Sequence, residues 1–456
     1  MPPIVGTSLA LLVLLSSGYF FVRRTGAAEA LLLRLALAHL CGAAALGLGV
    51  TLGLVVTNQV SVWWGGLGLL GLTLAGFTRK QSASTAESDY SIRPGGFDRL
   101  EWLLAGMVAI GVVTALARVV LLPLDWDGWA IWQLKARAMA DGSLQDLLTS
   151  PRYGYAHPDY PLLVPSNTWW LCAGVFRPKV AQLSGFLFFL DLLALVYYWG
   201  CALATRRLAL LGCVVLVSWP LVMKHTASGF ADVPMAAYAL AVAVYLGHGQ
   251  SFLGSLCLAG ALLTKNEGLF TLLGATFIVL NGWVRGGNLN PSGAGSKVHP
   301  RGFSAVSVLA VGALVALSWA VMKRRWQLNA DLLDPSQWPK DLASTLIHRT
   351  PGIIRGFVRE AAAVGPRYPG WGLFWPISLL AIPVSARLGL RFAVPLLLMC
   401  VAHLIGITTA YLITPLDVSL HLSRSLDRLL LHLAPTLLLA TLIALAAMGK
   451  RSSAPV

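Results

Sequence analysis

Apolar residues in this chain are gathered into long runs separated by short polar breaks. Runs of a length that can cross about 30 Å of hydrocarbon recur at roughly 7–23, 29–56, 61–77, 101–122, 180–204, 208–223, 231–248, 252–264, 268–284, 303–322, 371–385, 392–413 and 429–448. Inside a bilayer every backbone polar group needs an internal partner, so each such run predicts a transmembrane helix. Together they predict an all-α polytopic membrane protein of about thirteen spans. The first run lacks the basic flank and small-residue cleavage site of a secretory signal, so it is expected to be a retained span.

One stretch breaks the pattern. Residues 160–176, YPLLVPSNTWWLCAGVF, are apolar but short, carry two prolines near the start and lead into Arg177-Pro178-Lys179. If they crossed, every later loop would change sides. With 160–176 lying in the outer interface and the amino terminus outside, the inner loops collect Arg23, Arg24, Arg79, Lys80, Arg93, Arg99, Arg206, Arg207, Arg285, Lys297, Arg301, Arg387, Arg391, Lys450 and Arg451. The short outer loops then hold only Lys224, Lys265, Arg424 and Arg428. Positive charge in short loops marks the inside, whereas long loops carry little topological information; the expectation is therefore that 160–176 does not cross.

The resulting organisation is a set of amino-terminal spans over 1–78, a cytoplasmic linker at 79–100, and a module over 101–284 with a large outer loop at 124–180. A second linker follows at 285–302, and 303–456 supplies the last spans with outer loops at 323–370 and 414–428. Both linkers are rich in Gly, Ser and Pro, the composition of flexible connectors.

Composition supports the membrane reading: 57% of residues are apolar, 12% are charged, and mean hydropathy is +0.72. The net charge of +15 would suggest nucleic acid in a soluble protein. Here the charges sit in loops between spans, without a recognition helix, zinc pattern or RNA-binding motif, and nucleic acid is rejected as a partner. Six cysteines stand singly within apolar segments, without the close spacing of a metal or redox pair.

The candidate chemistry gathers on the face assigned to the outside. Asp125 and Asp127 flank Trp126 just beyond a span, and Trp129 and Trp132 begin a helix expected to lie along the bilayer. As a bare pattern this also reads as a helix cap with an interfacial tryptophan belt. His157, Asp159 and Tyr160 lie in HPDYP, where two prolines fix the backbone, and Asp232 opens a later span. Lys265 and Glu267 interrupt apolar sequence in TKNEG, where uncompensated charge is costly and usually marks a site. Arg424 and Arg428 stand four apart before the last span, so a helix places them on one face, where guanidinium forks suit a lipid phosphate. Arg34, Arg118 and Asp191 lie inside three different spans and are expected to find partners within the bundle.

In order and spacing these motifs resemble the C-superfamily of integral-membrane glycosyltransferases, the group containing protein O-mannosyltransferases and bacterial aminoarabinose transferases. DGWAIWQLKARAMADG (127–142) is similar to the family's acidic loop and interfacial helix. HPDYPLL resembles its proline-led segment, ADVP its second Asp motif, and TKNEG its threonine-lysine-glycine turn. The likeness covers roughly 101–284 plus 414–433, so 1–78 looks like an addition.

The resemblance implies a polyprenyl-phosphate-linked sugar donor, a lipid, glycan or protein acceptor hydroxyl, and an outer-face site in a bacterial inner membrane. It implies Asp127, with Asp125 beside it, as the catalytic acid pair. His157, Asp159, Tyr160, Asp232, Lys265, Glu267, Arg424 and Arg428 would bind substrate. The chain departs from the family in having Gly128 after Asp127 and its second acid upstream, which leaves open whether Asp125 and Asp127 hold a divalent metal ion. A secondary transporter or lipid-glycan flippase is the competing class of function.

Overall fold

A computed structural model describes residues 3–25, 30–78, 96–284, 302–328, 336, 338–362 and 371–452. Both expected linkers and part of the loop 323–370 lie largely outside these residues. All regular structure among the described residues is helical.

Three helices, α1 (Pro3–Thr25), α2 (Leu31–Thr57) and α3 (Val62–Phe77), pack on one another and precede α4 (Arg99–Leu121). Asp98 and Glu101 form a reciprocal capping box at the start of α4. The loop after α4 holds a π-turn, Gly128–Gln133, that runs directly into α5 (Leu134–Ala140), then α6 (Leu144–Thr149), a 3₁₀ turn at Pro151–Ala156 and α7 (Leu163–Leu171).

The chain continues through α8 (Pro178–Leu203), α9 (Arg206–Ser218), α10 (Pro220–Ala227), α11 (Asp232–Gly247), α12 (Ser251–Thr264), α13 (Gly268–Val284) and α14 (Gly302–Arg325). It ends with α15 (Leu342–Ala362), α16 (Phe374–Arg387), α17 (Ala393–Ile413) and α18 (Val418–Ser452). Between α9 and α10 the axis bends by 67° at Pro220, because proline has no N–H to continue the ladder and its ring clashes with the preceding turn.

Seven helices are long and apolar enough to cross a membrane: α1, α2, α4, α8, α14, α17 and α18. The bent pair α9–α10 makes an eighth if it counts as one span. Length and composition thus give a multi-pass membrane protein. The other expected spans coincide with α3, α11, α12, α13 and α16, apolar helices of 14 to 17 residues, which fall below the usual spanning length. The last helix begins at Val418, so the 414–428 segment expected as an outer loop is mostly helix.

At the centre is α11, every residue of which is buried. Its alanines at 236, 237, 239, 241 and 243 let neighbouring helices approach closely, the means by which helices associate where lipid removes the hydrophobic driving force. Around it pack α8, α12, α13, α17 and α18. The amino-terminal helices are not a loose appendage: α2 is buried along most of its length, Tyr238 Oη donates to Leu40 O at 2.8 Å, and His39 on α2 pairs with Asp191 on α8. Arg34 in turn donates to Tyr19 Oη at 3.2 Å.

The helices of the 124–180 loop differ from expectation. Nine residues of α7 span about 13.5 Å at 1.5 Å per residue, under half the hydrocarbon thickness. Rather than lying on lipid, α7 is buried at Leu163–Trp169 against α2, α5 and α8. The segment after Asp127 is likewise inserted, with Trp132, Gln133 and Lys135 fully buried. The apolar spacing read as a lipid-facing stripe instead faces protein.

Candidate active site

Asp232 is the first residue of α11 and is wholly buried. A buried carboxylate is tolerable only with charge and hydrogen-bond compensation, and four groups supply it. Lys265 Nζ lies 3.0 Å from Oδ1 and His432 Nε2 2.9 Å from the same oxygen. His225 Nδ1 is 3.0 Å from Oδ2, and Arg428 approaches Oδ2 with Nη2 at 3.3 Å and Nε at 3.4 Å. These donors come from α10, the α12–α13 turn and α18, so Asp232 ties the ends of three segments together.

Arg428 has a second carboxylate. Its Nη1 donates to Asp127 Oδ2 at 2.7 Å, while its guanidinium carbon sits 4.7 Å from the centre of the Phe230 ring. One guanidinium therefore uses one nitrogen for Asp127 and the other two for Asp232. Asp127 is held close by backbone contact: a Cβ on Gly128 would meet Ser228 O at 1.8 Å, so no other residue fits there without moving the chain. Asp125 takes a different cation, Lys224 Nζ at 3.1 Å. Burial opposes the charge on Asp125, but this contact and the Trp126 N–H overcome it and hold the carboxyl below its usual range.

The HPDYP loop is clamped from several sides. His157 adopts a left-handed backbone, φ 48°, and its carbonyl accepts from Lys135 Nζ at 2.6 Å. Asn266 Nδ2 donates to Asp159 Oδ2 at 2.6 Å, and Trp319 Nε1 to Asp159 O at 2.8 Å. The Tyr160 ring stacks with both Trp132 and His157, with Lys135 Nζ 5.8 Å and Lys265 Nζ 6.0 Å from its centre.

Burial pushes Lys135 down to about 7, with Asp159 partly offsetting it. Burial also pushes Asp159 up against the opposing pull of Lys135 and raises the Tyr160 phenol well above its ordinary value. Glu267 goes the other way. Burial opposes its charge, but Lys265, 3.2 Å away, holds it below the usual range.

The residues singled out from sequence thus converge: Asp127, Asp232, Lys265, Glu267 and Arg428 form one linked network, with Asp159 and Tyr160 against it through Asn266 and Lys265. The geometry adds three details. Asp232 and Lys265 are enclosed, and each is satisfied by the other and by its neighbours. Arg424 is exposed and makes no ion pair with the described residues. Asp125 and Asp127 each face a different cation, Lys224 and Arg428, and no group of three His, Cys, Asp or Glu able to hold a metal ion occurs among the described residues.

Sequence reasoning missed Lys224, His225, His432 and Lys135. His225 sits one residue after Lys224 and seven before Asp232, in a stretch expected as a short outer loop and found in α10. His432 is four residues after Arg428, one helical turn, and that spacing was the available signal. Comparison with family models, curated proteins and solved structures finds no match for this chain.

Proposed function

We propose that this protein is a membrane glycosyltransferase that moves a sugar from a polyprenyl-phosphate donor to an acceptor hydroxyl at the outer face of a bacterial inner membrane. In this reading it is a C-superfamily-like bundle of about thirteen spans, the five shorter apolar helices crossing with the rest. The observation that carries the proposal is the sharing of Arg428 between Asp127 and Asp232, 2.7 Å and 3.3 Å away: a carboxylate reachable from solvent stands beside a cation fixed from behind.

Phosphate is a good leaving group when positive charge meets its oxygens. Arg428 is the partly exposed cation of the network and Lys224 Nζ lies 5.9 Å from the centre of the same Phe230 ring, so both suit the donor phosphate. Asp127 accepts the proton of the acceptor hydroxyl as its oxygen attacks the anomeric carbon. The new C–O bond forms opposite the breaking one, the electron pair leaves with the phosphate oxygen, and configuration inverts. Asp232, His225, His432 and Lys265 keep Arg428 in place.

The rival reading, transport or flipping through the bundle, draws on Arg118 and Asp191. Asp191 is instead occupied by His39, and the two do not pair.

The test is transfer in proteoliposomes with polyprenyl-phosphate sugars, donor binding being measured separately. Asp127→Asn should reduce transfer by roughly 100-fold or more while donor still binds. Arg428→Ala should weaken donor binding roughly ten- to a hundredfold, the worth of a charge-assisted contact of about 1.5–3 kcal/mol. Full turnover in Asp127→Asn would remove it from the role of base.

A further inference from the structure

We infer that the donor phosphate and Asp127 compete for the same nitrogen of Arg428, so that the base becomes free only after the lipid donor has bound and the two substrates add in a fixed order. This inference rests on the proposed function and concerns how its site is switched on.

In the structure the two groups assigned to base and phosphate contact are bonded to each other. Arg428 Nη1 points at Asp127 Oδ2, 2.7 Å away. An oxygen engaged by a guanidinium is poorly placed to take a proton from an incoming hydroxyl, and the guanidinium it engages is not free for phosphate. The partners of Arg428 differ in their freedom to leave. The Asp232 side chain is wholly buried, and three further donors fix it. Phe230, beneath the guanidinium, is also buried. The side chain of Asp127 is 38% exposed and has no other described ion-pair partner.

Displacement therefore has one direction. An anion arriving from the open side takes Nη1, Asp232 retains Nε and Nη2, and Arg428 keeps its place while Asp127 swings off. Close contact of Gly128 with Ser228 O restricts this movement to side-chain rotation. Lys265 offers no alternative landing point for the phosphate, since it is buried between Asp232 and Glu267.

The consequence is protective as well as ordering. Without donor, Asp127 Oδ2 stays bonded to Arg428 and is withheld from acceptor or water.

The experiment reads Asp127 directly, by carbodiimide-driven amidation of carboxylates in the detergent-solubilised protein followed by peptide mass spectrometry, with decaprenyl monophosphate as the probe. Its binding is followed in parallel by native mass spectrometry. Saturating lipid phosphate should raise amidation of Asp127 roughly fivefold, the scale of breaking a partly exposed ion pair, and leave the exposed Asp141 unchanged. In Arg428→Lys, which keeps the charge but lacks the fork that reaches both carboxylates, Asp127 should be reactive from the start and gain less than about twofold on adding lipid.

Lipid phosphate that binds without changing Asp127 reactivity overturns the exchange but leaves the glycosyltransferase reading standing. Low Asp127 reactivity in lipid-free Arg428→Lys overturns it as well. Failure of lipid phosphate to bind the parent protein removes the lipid-phosphate donor, and the exchange falls with it.

Discussion

Lys135 shows how much a single buried side chain can carry. It is fully buried, its ammonium is satisfied by the His157 carbonyl, and its protonation equilibrium lies near 7. An unfolded chain would hold that proton up to about 10.4. Between these values the unfolded state binds the extra proton, so stability rises with pH, by up to about 1.4 kcal/mol per pH unit. Asp159, pushed upward, acts with the opposite sign and at lower pH. Unfolding in detergent between about pH 7 and 10 should therefore show the parent gaining stability with pH and Lys135→Met losing most of that slope. A parent whose stability is flat over this range would contradict the burial assigned to Lys135.

Residue types and spacing made Asp127, Asp232, Lys265 and Arg428 legible before the fold was known, because charge within apolar sequence is conspicuous. Their division of labour was not legible. Whether a lysine meets a ligand or a buried aspartate depends on which helix ends converge, and no local pattern encodes that.

Among the elements, the π-turn after Asp127 is the most constrained. It passes so near the α10–α11 connection that Gly128 has no room for a Cβ. Gly128→Ala should lower the thermal midpoint by an amount corresponding to about 1–3 kcal/mol, the usual cost of overpacking. It should reduce transfer by roughly 100-fold, because a shift of about 1 Å in a reacting group is enough for that. Unchanged stability and turnover would show that the loop yields freely. Apolar run length located most of the expected spans to within a few residues, as for α12, expected at 252–264 and found at Ser251–Thr264, but it missed α15 and the first turns of α18, which starts at Val418 rather than near 429. It failed where the environment, rather than the sequence, sets exposure. The residues of α5 and α7 have the apolar content of interfacial helices, yet protein covers the face that lipid was expected to meet.

For the whole molecule, the linked network requires the turns at 125–162, 228–231, 265–267 and 414–417 to share one side of the bilayer. Cysteines placed at Trp126 and Arg424 should react with a membrane-impermeant maleimide added to intact cells. Cysteines at Gln250 and Arg391 should react only after permeabilisation. Reaction of both sets from the same side would break the topology on which the site depends. Of this arrangement, the expected sidedness rests on short-loop charge, whereas the insertion of α7 and the integration of α2 into the core could be known only from packing.

The pairing of His39 with Asp191 bears on how the protein is made. The partners are separated by 152 residues, and the ribosome adds about 5–20 residues per second. For roughly 8–30 s, α2 therefore exists with a histidine that has no Asp191 to meet. Histidine suits this interval because its ring can remain neutral at physiological pH; a lysine or arginine at 39 would carry its charge into the lipid and face expulsion before α8 existed. The choice of residue at 39 is thus governed by the history of the nascent chain as much as by the finished bundle.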